Sequence, residues 1–272
     1  MAGSYNNTLQ LNQFMKHAIT ILLLFIMSAY PGSSQDSLVQ DRTEIPVICF
    51  HHISKSSDRQ NMLFTSVKSL EADLRLLYAS GYQTISPEQL YDYYINGKSI
   101  PEKSIMITFD DGNLDQFSMA IPILQNFNFK AVFFIMTVTV GKKNYLSEDQ
   151  IRSLIEMGHS IGGHTWDHQD VKSLKSKDLH WQVERPKAYL EGLTGRPVIA
   201  FAYPYGSWNE KIIPGLKKYG FKLAFQLGDI PSNRYRLFSL RRLMISGNWS
   251  PELVIKRINS TFGNNTMKPL VK

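Results

Sequence analysis

The sequence predicts an α/β fold, and three observations point there. Short β-type runs alternate with segments of helical periodicity from residue 45 onward. The residues that carry chemistry fall just past the ends of the expected strands, where α/β barrels build their active sites. A length of 272 residues, 43% hydrophobic and 19% charged, suits one large α/β domain and excludes a disordered or collagen-like chain.

Each element has its own signal. Residues 45–50 (IPVICF) are an apolar β-type run. Val67, Leu70, Leu74 and Leu77 recur at helical spacing, and Gly81 supplies the stop. Tyr82 to Ile85 reads as a second strand. Ser86-Pro87-Glu88-Gln89 then opens a helix with a capping Ser, a first-turn Pro and a Gln three residues on. Residues 104–109 (SIMITF) form a third strand that runs into Asp110-Asp111-Gly112. A helix near 114–126 leads to strand 130–136, and Ser147 with Gln150 makes a capping box ahead of Ile151, Leu154 and Ile155. His159-Ser160-Ile161 is a short strand ending at a glycine pair. A long polar helix near 175–193 follows, then strand 198–202, a helix near 209–219, a strand near 221–226 and a last helix from Ser250-Pro251. No repeat or long linker interrupts the pattern, so residues 35–272 read as one domain.

The N-terminus reads as an address. Lys16 and His17 precede the apolar run 18–27, and Ser28, Ala29, Pro31, Gly32, Ser33 and Ser34 follow it, which is the build of a secretory signal peptide. The run falls short of the roughly 18–20 apolar residues that span a bilayer, and the alternatives are an uncleaved anchor or a buried core helix. Residues 1–14 are polar and read as an upstream extension or the mark of an alternative start site, with cleavage expected near Ser34. The expectation is an exported protein that meets a membrane only through this segment. The net charge of +7 is spread along the chain, so a solvated basic surface is favoured and no nucleic-acid partner is expected. Cys49 is the only cysteine, which excludes an intrachain disulfide and a Cys-rich zinc site.

Thr108-Phe109-Asp110-Asp111-Gly112 places adjacent carboxylates at a strand end, and successive strand side chains point to opposite sides, so the two can take different roles. His164-Thr165-Trp166-Asp167-His168 brings two imidazoles together if the segment is helical or tightly turned. One carboxylate with two imidazoles is a three-ligand set that leaves a tetrahedral metal one open position. Asp-Asp-Gly alone is a common turn, and a His pair alone can be a surface face. Their joint occurrence on strand-end loops favours the metal. His159 reads as a core histidine and His180 as a solvent-facing one.

These motifs resemble the polysaccharide deacetylases, carbohydrate esterase family four, with the NodB-homology fold. The resemblance covers most of residues 45–260. It implies a distorted (β/α) barrel with fewer than eight strands and metal-dependent removal of N-acetyl groups from amino-sugar polymers. By that match Asp110 is the general base, and Asp111, His164 and His168 hold a divalent metal, with Zn²⁺ the default and Co²⁺, Ni²⁺ or Fe²⁺ alternatives. The third family motif is only partly present: Pro204 and Tyr205 remain, but Ala202 stands where an Arg is expected. Arg241 or Arg242 is the candidate substitute, and the backbone N–H of Tyr205 is a candidate oxyanion donor.

The family's C-terminal catalytic His is also missing, since no His follows His180. Its equivalent stands at the front, in Val47-Ile48-Cys49-Phe50-His51-His52, with His51 as general acid and His52 the weaker choice. That permuted order resembles the branch that deacetylates poly-β-1,6-N-acetylglucosamine, an exported biofilm polysaccharide. The partner implied is an N-acetylated amino-sugar polysaccharide, met by a monomer, with Trp166, Tyr203, Tyr205 and Trp208 as candidate sugar platforms or core packing. Alternatives are a peptidoglycan or chitin-oligomer deacetylase, or a non-catalytic glycan-binding protein on the same fold.

Overall fold

The chain enters through β1 (Arg42–Thr43) and the fully buried β2 (Val47–Phe50). A small parallel pair follows, β3 (His52–Ser54) with β4 (Phe64–Ser66), and Ser66 then caps α1 (Val67–Ala79) by accepting from the Ser69 N–H. Next come β5 (Gln83–Thr84), α2 (Pro87–Asn96), the long β6 (Ser104–Asp111), α3 (Ile121–Asn126) and β7 (Ala131–Ile135). The second half alternates α4 (Glu148–Glu156), β8 (Ser160–Gly163), α5 (Arg185–Thr194), β9 (Ala200–Ala202), α6 (Ile213–Lys218) and β10 (Leu223–Phe225). It closes with β11 (Leu243–Met244), α7 (Pro251–Phe262) and β12 (Thr266–Met267), which pairs antiparallel with β1. This is a computed structural model; it describes residues 42–263 and 266–267, apart from Arg59 and Asp229. The expected signal segment, residues 1–34, lies outside the described residues.

Seven strands run parallel in the order β10-β9-β8-β7-β6-β2-β11 and curl into a half-barrel, with β5 paired to the foot of β6. The distorted barrel with fewer than eight strands is therefore what forms. Its two edges are drawn together by one segment. Leu240 exchanges hydrogen bonds with β10, its N–H donating to Ala224 O at 3.0 Å and its carbonyl accepting from Gln226 N at 2.8 Å. Three residues later, Leu243 and Met244 pair with Ile48 and Cys49 of β2.

The sheet is buried on both faces, as parallel sheets are. Toward the helices, Phe50, Phe109 and Phe133 stack across β2, β6 and β7 at 5.5 and 5.2 Å. Toward the interior, Phe134 packs on Phe225 and lies under the Arg242 guanidinium. The glycine pair 162–163 does not end β8, as expected, but belongs to it. A Cβ at Gly162 would lie 2.3 Å from Phe134 Cδ1, so the strand has no side chain there because Phe134 fills the space.

Several helix boundaries differ from expectation, and prolines account for most of them. The helix near 114–126 is a wide π turn over Gln116–Ala120 followed by α3, and the turn meets Pro122. The long helix near 175–193 starts later: Asp178 accepts from Lys175 N to make a turn, a π turn spans His180–Glu184, and α5 then carries Pro186 near its start. In both, the wider turn spares the helix the clash between a proline ring and the carbonyl four residues back. The helix near 209–219 shortens to α6, with Pro214 in its first turn. Among the described residues no helix is long and apolar enough to cross a membrane.

Candidate active site and metal centre

Parallel strands deliver their C-terminal ends to one rim, and the chemistry collects there. β6 ends in Asp110 and Asp111, β8 leads into His164, β9 into Tyr203-Pro204-Tyr205, and β2 into His51. His164 Nε2 and His168 Nε2 each stand 3.5 Å from Asp111 Oδ1. The segment between the two histidines is a tight turn rather than a helix, with Thr165 and His168 in left-handed backbone. Together with Asp111 (φ 77°) and Tyr205 (φ 60°), these are the only residues other than glycine and asparagine with positive φ among the described residues. Such conformations cost about 1–3 kcal/mol each and persist where the surroundings over-determine them. All four lie in this site.

The trio of Asp111, His164 and His168 fits a divalent metal. Asp111 Oδ1 and His164 Nε2 are buried with no hydrogen-bond partner, which leaves two donor atoms aimed at a shared point. His164 is fixed in the required tautomer, because its Nδ1–H donates to Ala202 O at 2.7 Å and Nε2 keeps its lone pair. A second group, Cys49, His51 and Asp110, also comes close enough to share an ion. It fits poorly: burial pushes the Cys49 thiol well up, and both Asp110 oxygens are already engaged.

Arg242 engages them. Its Nη1 and Nη2 donate to Asp110 Oδ1 and Oδ2 at 2.6 and 2.7 Å, and Nη1 also reaches Thr108 Oγ1 at 3.2 Å. Arg241 points the other way, donating from Nε to Glu44 Oε1 at 2.9 Å and from Nη2 to Glu44 Oε2 and the Thr261 carbonyl. Strand alternation sorts the two: one side chain enters the barrel, the next leaves it. Burial alone would raise the Asp110 carboxyl, but Arg242, with His164 and His51, outweighs it and holds the group well below the usual carboxylate range.

His51 and His52 separate as well. His51 Nε2 lies 3.9 Å from Asp110 Oδ2, and Cys49 Sγ lies 3.9 Å from its Nδ1. Burial lowers its pKa despite the nearby Asp110 and Asp111 carboxylates. His52 turns away, donating from Nδ1 to Asp115 Oδ2 at 3.1 Å and stacking on Phe64, and the Asp115 bond raises its pKa. A tie between the loops had no motif to announce it. Gln116 Nε2 donates to His51 O at 2.8 Å and to Asp110 O at 2.5 Å, fixing one loop against the other.

The candidate sugar platforms divide. Tyr203 is fully buried, its hydroxyl donating to Phe238 O, and Trp208 stacks on it while its Nε1–H donates to Gln226. Tyr205 stays exposed with its ring 4.4 Å from His168, and Trp166 is also exposed. His159 accepts from Ala131 N inside the core, and His180 pairs with Glu184 on the surface.

Residues 97–224 match the family model for polysaccharide deacetylase. That stretch is similar to a polysaccharide deacetylase domain. The Bacillus subtilis (strain 168) protein YxkH, named for polysaccharide deacetylation, is 27% identical over 208 residues, 76% of this chain and 73% of that protein. A Staphylococcus aureus (strain MSSA476) protein named poly-beta-1,6-N-acetyl-D-glucosamine N-deacetylase is 24% identical over 80% of this chain and 86% of its own length. Among solved structures, Streptococcus pyogenes deacetylase PplD, in complex with acetate, superposes with a TM-score of 0.74 at 26% identity, covering 81% of this chain and 99% of that one. The family match and these likenesses support a hydrolase acting on carbon–nitrogen bonds. Polysaccharide deacetylases act on N-acetylated glucosamine polymers and are metal-dependent in general. Within this domain Asp110, Asp111, His164, His168 and Tyr205 lie in the matched stretch, whereas His51 and Arg242 come from outside it.

Proposed function

We propose that this chain removes N-acetyl groups from poly-β-1,6-N-acetylglucosamine, using a divalent metal held by Asp111, His164 and His168. The observation that carries the reading is the convergence of that trio, with its unpartnered Oδ1 and Nε2 atoms, beside an Arg-paired Asp110 and His51. The S. aureus relative, named for this polymer, supports the linkage. Asp111, His164 and His168 would hold a divalent ion, Zn²⁺ by default, which would polarise the acetamide carbonyl and acidify the attacking water.

The protein's own groups do the rest. Asp110 takes the proton of the attacking water; Arg242 keeps the carboxylate ionised and oriented, so the proton is held only weakly there. His51 Nε2, 3.9 Å from Oδ2, is the next acceptor. Burial leaves His51 neutral near pH 7, and the proton it gains is the one it gives to the departing amine. The Tyr205 N–H, in its left-handed backbone, is the oxyanion donor. The protein acts outside the cytoplasm as a monomer, exported by the segment within residues 1–34.

Acetate release from β-1,6- and β-1,4-linked N-acetylglucosamine oligomers, with and without chelator, tests the reading. Release should favour the β-1,6 polymer, stop in chelator and return with metal, and His164→Ala should purify without its ion. Full release in excess chelator would remove the metal, and a preference for β-1,4 oligomers would remove the substrate.

A further inference from the structure

A groove of about 460 Å³ lies at the same rim, lined by Trp166, Trp181, Arg185 and Tyr189 and by the polar Thr137 and Gln182. Its three rings are exposed by 45%, 58% and 38%, although aromatic side chains of this size are normally well buried. Trp181, Arg185 and Tyr189 stand four residues apart, so the π turn and α5 present them as one stripe. The rings are held in place. The Arg185 guanidinium sits 4.2 Å over Trp181, the Tyr189 hydroxyl donates to Glu148, and Trp166 N donates to Gln182 Oε1 at 3.3 Å.

We propose that this groove binds the stretch of the N-acetylated amino-sugar polymer that runs on from the sugar being deacetylated, past the reach of a dimer. The proposal rests on the polysaccharide reading of the adjacent site. Trp166 belongs to both, since it sits in the turn between His164 and His168, so the groove starts where the reaction centre ends. Flat rings offer stacking faces to the C–H faces of pyranose rings. Arg185, Gln182 and Thr137 between them offer hydrogen bonds to hydroxyl and acetamide groups. A groove of this size falls in the range of ligand pockets, and its continuity with the reaction centre through Trp166 favours the polymer as its occupant.

The test uses the full chain and the variants Trp181→Ala and Tyr189→Ala, neither of which touches the metal or proton-transfer groups. Calorimetry measures binding of β-1,6- and β-1,4-linked N-acetylglucosamine pentamers and dimers, and acetate release is read separately. Each variant should weaken pentamer binding about five- to tenfold and leave dimer binding and dimer turnover unchanged. Pentamer binding that weakens in the variants while the wild type releases no acetate would remove the catalytic reading and keep the groove. Equal pentamer binding by wild type and variants, or no pentamer binding by the wild type, overturns the groove. So does sedimentation showing a wild-type dimer that Trp181→Ala converts to monomer, because the face would then be a contact between copies.

Discussion

Asp110 and Arg242 are 132 residues apart in sequence, yet they share two charge-assisted hydrogen bonds in the barrel interior. Removing the guanidinium leaves a buried carboxylate without its partner, which costs about 3–5 kcal/mol. Arg242→Met should therefore lower both Tm and turnover. The sign of the pH effect follows from the pair. A base held low by Arg242 stays ionised well into acid, and without Arg242 its pKa rises, so the acidic limb of the pH–rate profile should move upward. Arg241→Met, which loosens the Glu44 and Thr261 contacts and leaves Asp110 paired, should leave that limb in place; if both variants keep the wild-type profile, Arg242 does not tune the base. The neighbouring histidines make a second contrast. His51→Ala should cut turnover by roughly 10²–10⁴-fold with metal content unchanged, and His52→Ala, whose ring serves Asp115 and Phe64, should cost far less. Steady-state kinetics beside metal analysis of both variants would show whether the assignment is reversed.

At the scale of elements, β8 shows what a glycine can be for. Gly162→Ala pushes a methyl into Phe134 and should destabilise by about 1–3 kcal/mol. Gly192→Ala, exposed within α5 with nothing near its added Cβ, should stabilise by up to about 1 kcal/mol. Thermal melts of the two should move in opposite directions. The same strand marks the limit of reading elements from sequence. The β-type runs and capping boxes are written locally, and Ser86-Gln89 and Ser147-Gln150 form as read. A glycine pair reads locally as a stop, and only the Phe134 ring from the next strand makes it an interior. The motif residues Asp110, Asp111, His164 and His168 were legible because short spacings carry them. The choice between Arg241 and Arg242 was not, because it depends on the register of β11 against β2. Trp181 and Tyr189 were hidden differently: charged neighbours made their helix look polar, although the four-residue spacing was there to find.

Over the whole molecule, one buried acid sets a slope of stability against pH. Asp73 on α1 is buried with neither oxygen partnered, and burial, with the nearby Glu252, raises its pKa to about 7. In the unfolded chain the group ionises near pH 4, so between about pH 4 and 7 only the unfolded state gives up the proton. The stability that its neutral form permits is fully present in acid and drains away as pH rises through that window, by up to about 4 kcal/mol. Asp73→Asn should remove that drain, and the gap in Tm between variant and wild type should widen from pH 5 to pH 8. Parallel Tm curves across that range would show that Asp73 does not titrate with folding.

The segment that runs from Leu240 to Met244 also sets a clock. Asp110 leaves the ribosome 132 residues before Arg242, an interval of roughly 7–26 s at ordinary synthesis rates. Until Arg242 is made the carboxylate has no counter-charge, and even after β10 follows, the sheet edges at β10 and β2 have no strap between them. On the proposed mechanism, a chain stopped short of residue 242 carries Asp111, His164 and His168 and lacks the grip on Asp110, so competence waits for the strap that joins β10 to β2.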